Sequence, residues 1–313
     1  MQPGTPTRWL KFLAEITVDD PELVAYLARV AGYCLTGSTK EQVLFFAHGD
    51  GKNGKGVFAR TLAGIMGTYA TSAPRGMLTA SSRNAHPTEI ASLDGVRFVL
   101  TPETDEGSPW DEAKVKFLTG SDTISARHMG QNFYNFRPTH KLFVESNNLP
   151  ALRNPGRAWR RRIHLIPFNL DLNDADADLE EKLRAEWPQI LRWMLIGLAD
   201  YLASGGLAPP EIVLGGSREY FDEQDELGNW LTEQCEPDSE PGFTACRDLF
   251  DDWRDWAVRS NVHTSRVGSI ITFNRMLSEH RLARLWDFRR ARLNVAKGYR
   301  GIRLKNPRPW REA

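Results

Sequence analysis

"HGDGKNGKGVF", residues His48–Phe58, fits two phosphate-binding patterns at once. Gly49-x-Gly51-x-x-Gly54 matches the dinucleotide fingerprint; Gly49-x4-Gly54-Lys55 matches a P-loop in which Gly56 replaces the usual Ser or Thr. Both need a buried strand before the loop and a helix after it. "QVLFFAH" before it is short and nearly all apolar, as a strand buried on both faces requires. "KGVFARTLAGIMG" after it has helical spacing at Val57, Leu62, Ile65 and Met66 and stops at Gly67. The downstream chemistry separates the two. A dinucleotide site needs an acid about 20 residues on to hold the ribose hydroxyls, but no Asp or Glu stands between Gly56 and Glu89. Arg75 or Arg83 would suit an NADP version, which still leaves Lys55 without a role. In a P-loop Lys55 reaches the β/γ-phosphates, while loop N–H groups and the helix N-terminus cradle them. A P-loop is therefore expected, with ATP held by Gly49, Asp50, Gly51, Lys52, Asn53, Gly54, Lys55, Gly56 and Val57.

A P-loop needs acidic partners at the end of another buried strand. "VRFVLTPETDEG" supplies Glu103 to polarise the attacking water and, with Glu103, Asp105 and Glu106 to hold Mg2+; the plainer reading is a wet acidic loop. "KLFVESNNLP" ends a strand at Asn147, placed to sense a γ-phosphate or water, although turn chemistry before Pro150 also favours Asn. "RAWRRRIHLIPF" sets Arg160, Arg161 and Arg162 before a strand, as an arginine finger for a neighbouring subunit or as a basic surface patch.

Further apolar runs at 96–101, 140–146 and 162–168 alternate with helical segments, which predicts an α/β three-layer sheet. Residues 6–38 read as helices, and the pattern from about 178 is again helical. "GGLAPPEIVLGGS" reads as a Gly/Pro-rich connector, "SREYFDEQDELGNWLTEQC" as one amphipathic helix and "EPDSEPG" as a boundary. The last block reads as helices at 245–259 and 272–280 followed by "GYRGIRLKN" as a β-hairpin arm, the order of a winged helix-turn-helix. The expected organisation is an N-terminal helical segment (1–40), a P-loop ATPase core (41–170), a helical subdomain and connector (171–236) and a basic winged-helix-like DNA-binding domain (237–313).

Charge supports that last assignment. The 313 residues balance 40 Lys and Arg against 40 Asp and Glu, yet residues 254–313 hold 15 basic and 4 acidic residues. A basic module on an acidic body suits a polyanion, the plainer alternative being a solubilising surface. An apolar share of 41% and a charged share of 26% belong to a globular chain. Cys34, Cys235 and Cys246 are widely spaced and form no CxxC pair, which argues against structural zinc and suits a reducing compartment. The most apolar helix, "ILRWMLIGLADYL", carries Arg192 and Asp200, so no membrane span and no signal peptide are expected.

The glycine loop, acidic strand end, strand-end Asn and arginine cluster, in this order, resemble the superfamily 3 helicases, specifically the C-terminal half of phage, plasmid and poxvirus primase-helicases. The resemblance runs almost continuously over residues 10–205, and "REYFDEQDELGNWL" also resembles the family. It implies an AAA+-like ATPase that assembles as a ring, usually a homo-hexamer, with single-stranded DNA in its channel. Residue by residue, it implies Lys55 as the Walker A lysine within Asn53-Gly54-Lys55, Glu103 as the Walker B acid, Asn147 as the sensor and Arg161 or Arg162 as the finger. The segment between Walker B and sensor would line the channel, where Lys116, Arg127 and His128 touch DNA phosphates. Gly56 departs from the family's frequent Ser or Thr and removes a magnesium hydroxyl ligand.

The expected function is an ATP- and Mg2+-dependent DNA helicase of phage- or plasmid-type replication, with duplex DNA at the C-terminal module and primase or other replication proteins as possible partners. The chain would be either a piece of a longer primase-helicase or a stand-alone helicase, in the cytoplasm of a bacterial host if phage-borne. An ATP-binding initiator or loader without unwinding activity is the alternative, and an NADP-dependent enzyme the remote one.

Overall fold

The computed structural model describes residues 4–80, 87–102, 109–150, 157–169, 176–238, 242–262 and 267–306. The chain divides into two compact units, residues 1–152 with 157–220, and residues 221–313 with 153–156.

The first unit is built on a five-stranded sheet of β1 (Leu44–His48), β2 (Ala70–Ser72), β3 (Phe98–Thr101), β6 (Lys141–Ser146) and β7 (Ile163–Pro167), in the order β2-β3-β6-β1-β7. Every pairing is parallel, with Phe45 opposite both Phe143 and His164. The apolar run of β1 is explained by its central place, which buries both of its faces. On one face Phe45 and Phe143 meet α3 (Lys55–Met66) through Phe58 and Leu62. By alternation Phe46 points the other way, onto Trp110, which packs on Trp159.

Helices α1 (Thr7–Thr17) and α2 (Pro21–Cys34) join the first of these faces. Trp9, Phe12, Leu13 and Ile16 are spaced to fall on one stripe and are all buried. Trp9 stacks on Phe58 at 5.6 Å. Asp20 caps α2 by accepting from the N–H groups of Glu22 and Leu23, with Pro21 at the first helical position. The junction between α7 (Leu179–Ala185) and α8 (Trp187–Ala203) ties back to α1: the Glu186 carboxylate accepts from Arg8 N at 3.0 Å and Trp9 N at 2.9 Å.

The run expected to be a connector is different. Residues Glu211–Glu223 form helix α9 straight through Gly215 and Gly216. Each helical glycine costs about 1 kcal/mol against Ala, which burial of Val213, Tyr220 and Phe221 outweighs. Nor does one helix run on to Cys235. It breaks at Gln224, and Asp225 caps a new helix, α10 (Glu226–Gln234), by accepting from Gly228 N.

The second unit packs α10 and α11 (Cys246–Arg259) around Trp230, Trp253 and Phe273. The β-hairpin arm is also displaced from its expected position. It joins β10 (Arg289–Leu293) to β11 (Ala296–Arg300), one strand earlier than "GYRGIRLKN" suggested. Gly301, at φ +86°, then turns the chain so that β12 (Ile302–Leu304) pairs with β8 (Cys235–Pro237) instead.

Candidate functional site

All five strands point the same way, so their C-terminal ends share one edge, where open α/β sheets hold ligands. The glycine loop leaves β1 at this edge, between the ends of β6 and β7. Its conformation depends on two of its glycines. A Cβ at Gly49 would lie 2.0 Å from the carbonyl oxygen of Phe168, just past β7. Gly54 caps α3 at φ +87°, and a Cβ there would lie 2.6 Å from Ile16 of α1. Gly51 faces open space, so the second glycine of the dinucleotide pattern answers no steric demand from the protein.

Lys55 opens α3 and is only 7% exposed. Its Nζ donates to Gly49 O at 2.5 Å, Asn53 Oδ1 at 2.9 Å and Asn147 Oδ1 at 2.9 Å. Asn53, 2% exposed, donates in turn from Nδ2 to Phe168 O at 2.7 Å. One chain of hydrogen bonds therefore joins the ends of β1, β6 and β7 at the loop. The N-terminus of α3 adds N–H groups without helical partners and the positive end of the helix dipole. Around them lies a cavity of about 550 Å³ lined by the loop, Arg60, Leu100, Pro102 and Glu145–Asn147. A buried cation, oriented amides and this room suit a polyphosphate.

Sequence reasoning passed over Glu145. It sits two residues before Asn147, on the same side of β6, half-buried against the loop. Burial pushes its carboxyl up from the usual carboxylate range, while Arg60 and Lys55 pull it down. The signal was a lone carboxylate inside an apolar strand, at period two from a candidate site residue. His48, at the end of β1, has its pKa lowered by burial and by Lys55.

The remaining assignments separate. Glu103, Asp105 and Glu106 lie outside the described residues. Arg161 and Arg162 lie at the other edge of the sheet: Arg162 O accepts from Leu44 N where β1 begins, at 2.7 Å. Arg162 is buried, and Arg161 is exposed and donates to Gln42 Oε1 at 3.3 Å. β1 rises about 3.3 Å per residue, so these arginines stand a strand length from Lys55 of the same chain. Arg127 and His128 follow β4 (Ile124–Ala126) in a hairpin with β5 (Tyr134–Phe136). The Arg127 guanidinium lies over the Phe133 ring at 4.8 Å, and His128 stacks on Tyr134. Lys116 is on the preceding helix, α5 (Glu112–Leu118), 3.9 Å from Glu112. Among the described residues no three His, Cys, Asp or Glu side chains cluster as metal ligands, and no helix is long and apolar enough to cross a membrane.

Comparison with known proteins finds sequence similarity to proteins named as putative helicases. Residues 47–162 match a family described as a family of unknown function, DUF5906. The chain is 26% identical over 284 residues to "Putative helicase 022R" of Frog virus 3 (isolate Goorha), covering 83% of this chain and 29% of that protein. It is 27% identical over 263 residues to "Putative helicase L207/L206" of Acanthamoeba polyphaga mimivirus, covering 76% of this chain and 27% of that protein. The chain thus spans under a third of the length of these relatives. Its fold matches the apo structure of the NrS-1 C-terminal region with a TM-score of 0.56, at 10% identity, over 95% of this chain and 76% of that one.

Proposed function

We propose that this chain is the ATP-driven motor of a DNA helicase of the phage- or plasmid-replication type, working as a ring on single-stranded DNA. The observation that carries the proposal is the convergence on Lys55 Nζ of the glycine loop after β1 and Asn147 after β6. A strand-end Asn touching the P-loop lysine is what a site that distinguishes a bound γ-phosphate needs. ATP would enter the cavity with its phosphates against the α3 N-terminus, and Lys55 would exchange protein acceptors for phosphate oxygens. Asn53 holds the loop to Phe168 while this happens. Mg2+, assigned from the sequence to Glu103, Asp105 and Glu106, supplies charge neutralisation between phosphate oxygens when bound.

Arg161 cannot complete the site of its own chain, so it is assigned as the finger reaching a neighbouring copy, with buried Arg162 beneath it. In each copy the β4–β5 hairpin offers Arg127, His128 and an exposed Phe133, the cationic and aromatic mixture that holds single strands. In the second unit, Arg247, Arg290, Arg292 and Lys297 line a groove of about 810 Å³ between the helix Ile270–Glu279 and the β10–β11 hairpin. This is assigned as the winged-helix-like surface for duplex phosphates, with affinity falling steeply in salt.

The test is DNA-stimulated ATP hydrolysis by wild type and Lys55→Ala. Loss of one preorganised charge on the transferring phosphoryl group is expected to lower the rate about 100-fold or more. Equal rates would overturn the proposal.

A further inference from the structure

We propose that Glu145 supplies a carboxylate oxygen to the divalent cation of a nucleoside triphosphate bound at this site, at the place of the hydroxyl that Gly56 lacks. The inference rests on the nucleotide-binding reading above and deepens it. A Cβ built on Gly56 would stand 3.2 Å from Glu145 Oε2 and 2.6 Å from Arg60 Nη1. The carboxylate therefore borders the space that a Ser or Thr side chain at 56 would enter, and glycine keeps that space open.

Three further observations favour this role over a structural one. Glu145 is the acid among the described residues lining the cavity, facing Lys52, Lys55 and Arg60. Arg60 has its own partner: Nε donates to Glu180 Oε1 of α7 at 3.0 Å, so Glu145 is not required to pair it. The Glu145 carboxylate accepts no hydrogen bond among the described residues, although it is half-buried. Its oxygens are not among the buried unpartnered atoms and open to the cavity beside Lys55 and Arg60, where a hard cation carried by phosphates can meet them. Magnesium is typically held by one or two carboxylates together with substrate phosphates and water, not by an all-protein cage. Glu145 would act there beside the acids that follow β3, which the sequence assigns to the same cation.

The experiment is calorimetric titration of the full chain with ATP, in MgCl2 and separately in EDTA, for wild type, Glu145→Gln and the double variant Gly56→Ser/Glu145→Gln. Wild type is expected to bind ATP more tightly with magnesium. Glu145→Gln should lose about tenfold or more of that preference, the scale of a lost metal-site contact, with its affinity in EDTA kept or improved. The serine of the double variant should restore part of the preference, because its hydroxyl is the ligand that position 56 lacks. An unchanged preference in Glu145→Gln, or an equal loss of affinity in both buffers, would overturn the proposal and leave nucleotide binding standing. Absence of ATP binding by wild type in either buffer would overturn the nucleotide reading and this proposal with it.

Discussion

An ammonium group has three protons to give, and Lys55 Nζ meets Gly49 O, Asn53 Oδ1 and Asn147 Oδ1. The charge is thus held in place by the protein's own acceptors, and the proposed nucleotide phosphate would need only to replace acceptors already arranged around it. Asn53 does two jobs, accepting from Lys55 and donating to Phe168 O, and it is almost wholly buried. Asn53→Ala leaves a buried carbonyl without its side-chain donor and Lys55 without an acceptor. We expect a loss of about 1–3 kcal/mol in stability, together with weaker ATP binding in EDTA, where no metal enters. Thermal melting and the same titration check both. An unchanged melting temperature would show that the Phe168 bond carries no stability. Lys55 and Asn147 were legible in the sequence because each belongs to a local pattern, glycine loop or strand end. The Asn53–Phe168 bond was not, because it depends on β7 lying beside β1, which no local pattern encodes; Glu145 left only the faint local mark of a carboxylate inside an apolar strand.

At the scale of elements, what positions the loop is a close helix pair. A Cβ at Gly32 of α2 would lie 2.2 Å from Leu198 N of α8, and one at Gly197 would lie 2.0 Å from Ala28 O. Two glycines facing opposite backbones bring these helices together, and the contact is closed by the Tyr33–Tyr201 ring pair and the Arg29–Asp200 ion pair at 2.8 Å. Through α1 the same bundle meets Gly54 of the loop. Gly197→Ala presses a methyl group against backbone that cannot rotate away, so the cost is expected at the upper end of overpacking, about 3 kcal/mol. At roughly 2–4 °C per kcal/mol for a unit of this size, the melting temperature falls accordingly. Gly206→Ala is the control, because its Cβ would meet only Glu41 carboxylate oxygens at 3.7 and 3.8 Å. Equal melting of the two variants would refute the role given to the glycine contact. Strands were readable here as short apolar runs. The helix through Gly215 and Gly216 and the register of the β10–β11 hairpin were not, since both are decided by tertiary burial over local propensity.

For the molecule as a whole, the geometry separates the glycine loop from the arginines. The loop leaves the C-terminal end of β1, and Arg162 bonds the N-terminal end of the same strand. If Arg161 is the finger proposed above, such a chain carries half of a site at each edge of its sheet, and a head-to-tail contact between copies would join the halves. Such a heterologous contact repeats into a closed ring when its rotation closes. This gives a sharp expectation for mixtures. Lys55→Ala and Arg161→Ala should each hydrolyse little ATP alone, because every site lacks one half. Mixed in equal amounts and allowed to reassemble, about a quarter of interfaces pair an intact lysine from one variant with an intact arginine from the other. DNA-stimulated hydrolysis should then recover to about a quarter of the wild-type rate if sites act independently, and to less if they act in concert. If Arg161 served its own chain, every chain in the mixture would remain defective and no activity would return. The recovery measured on mixing therefore decides between a finger given to a neighbour and an arginine that only supports its own fold.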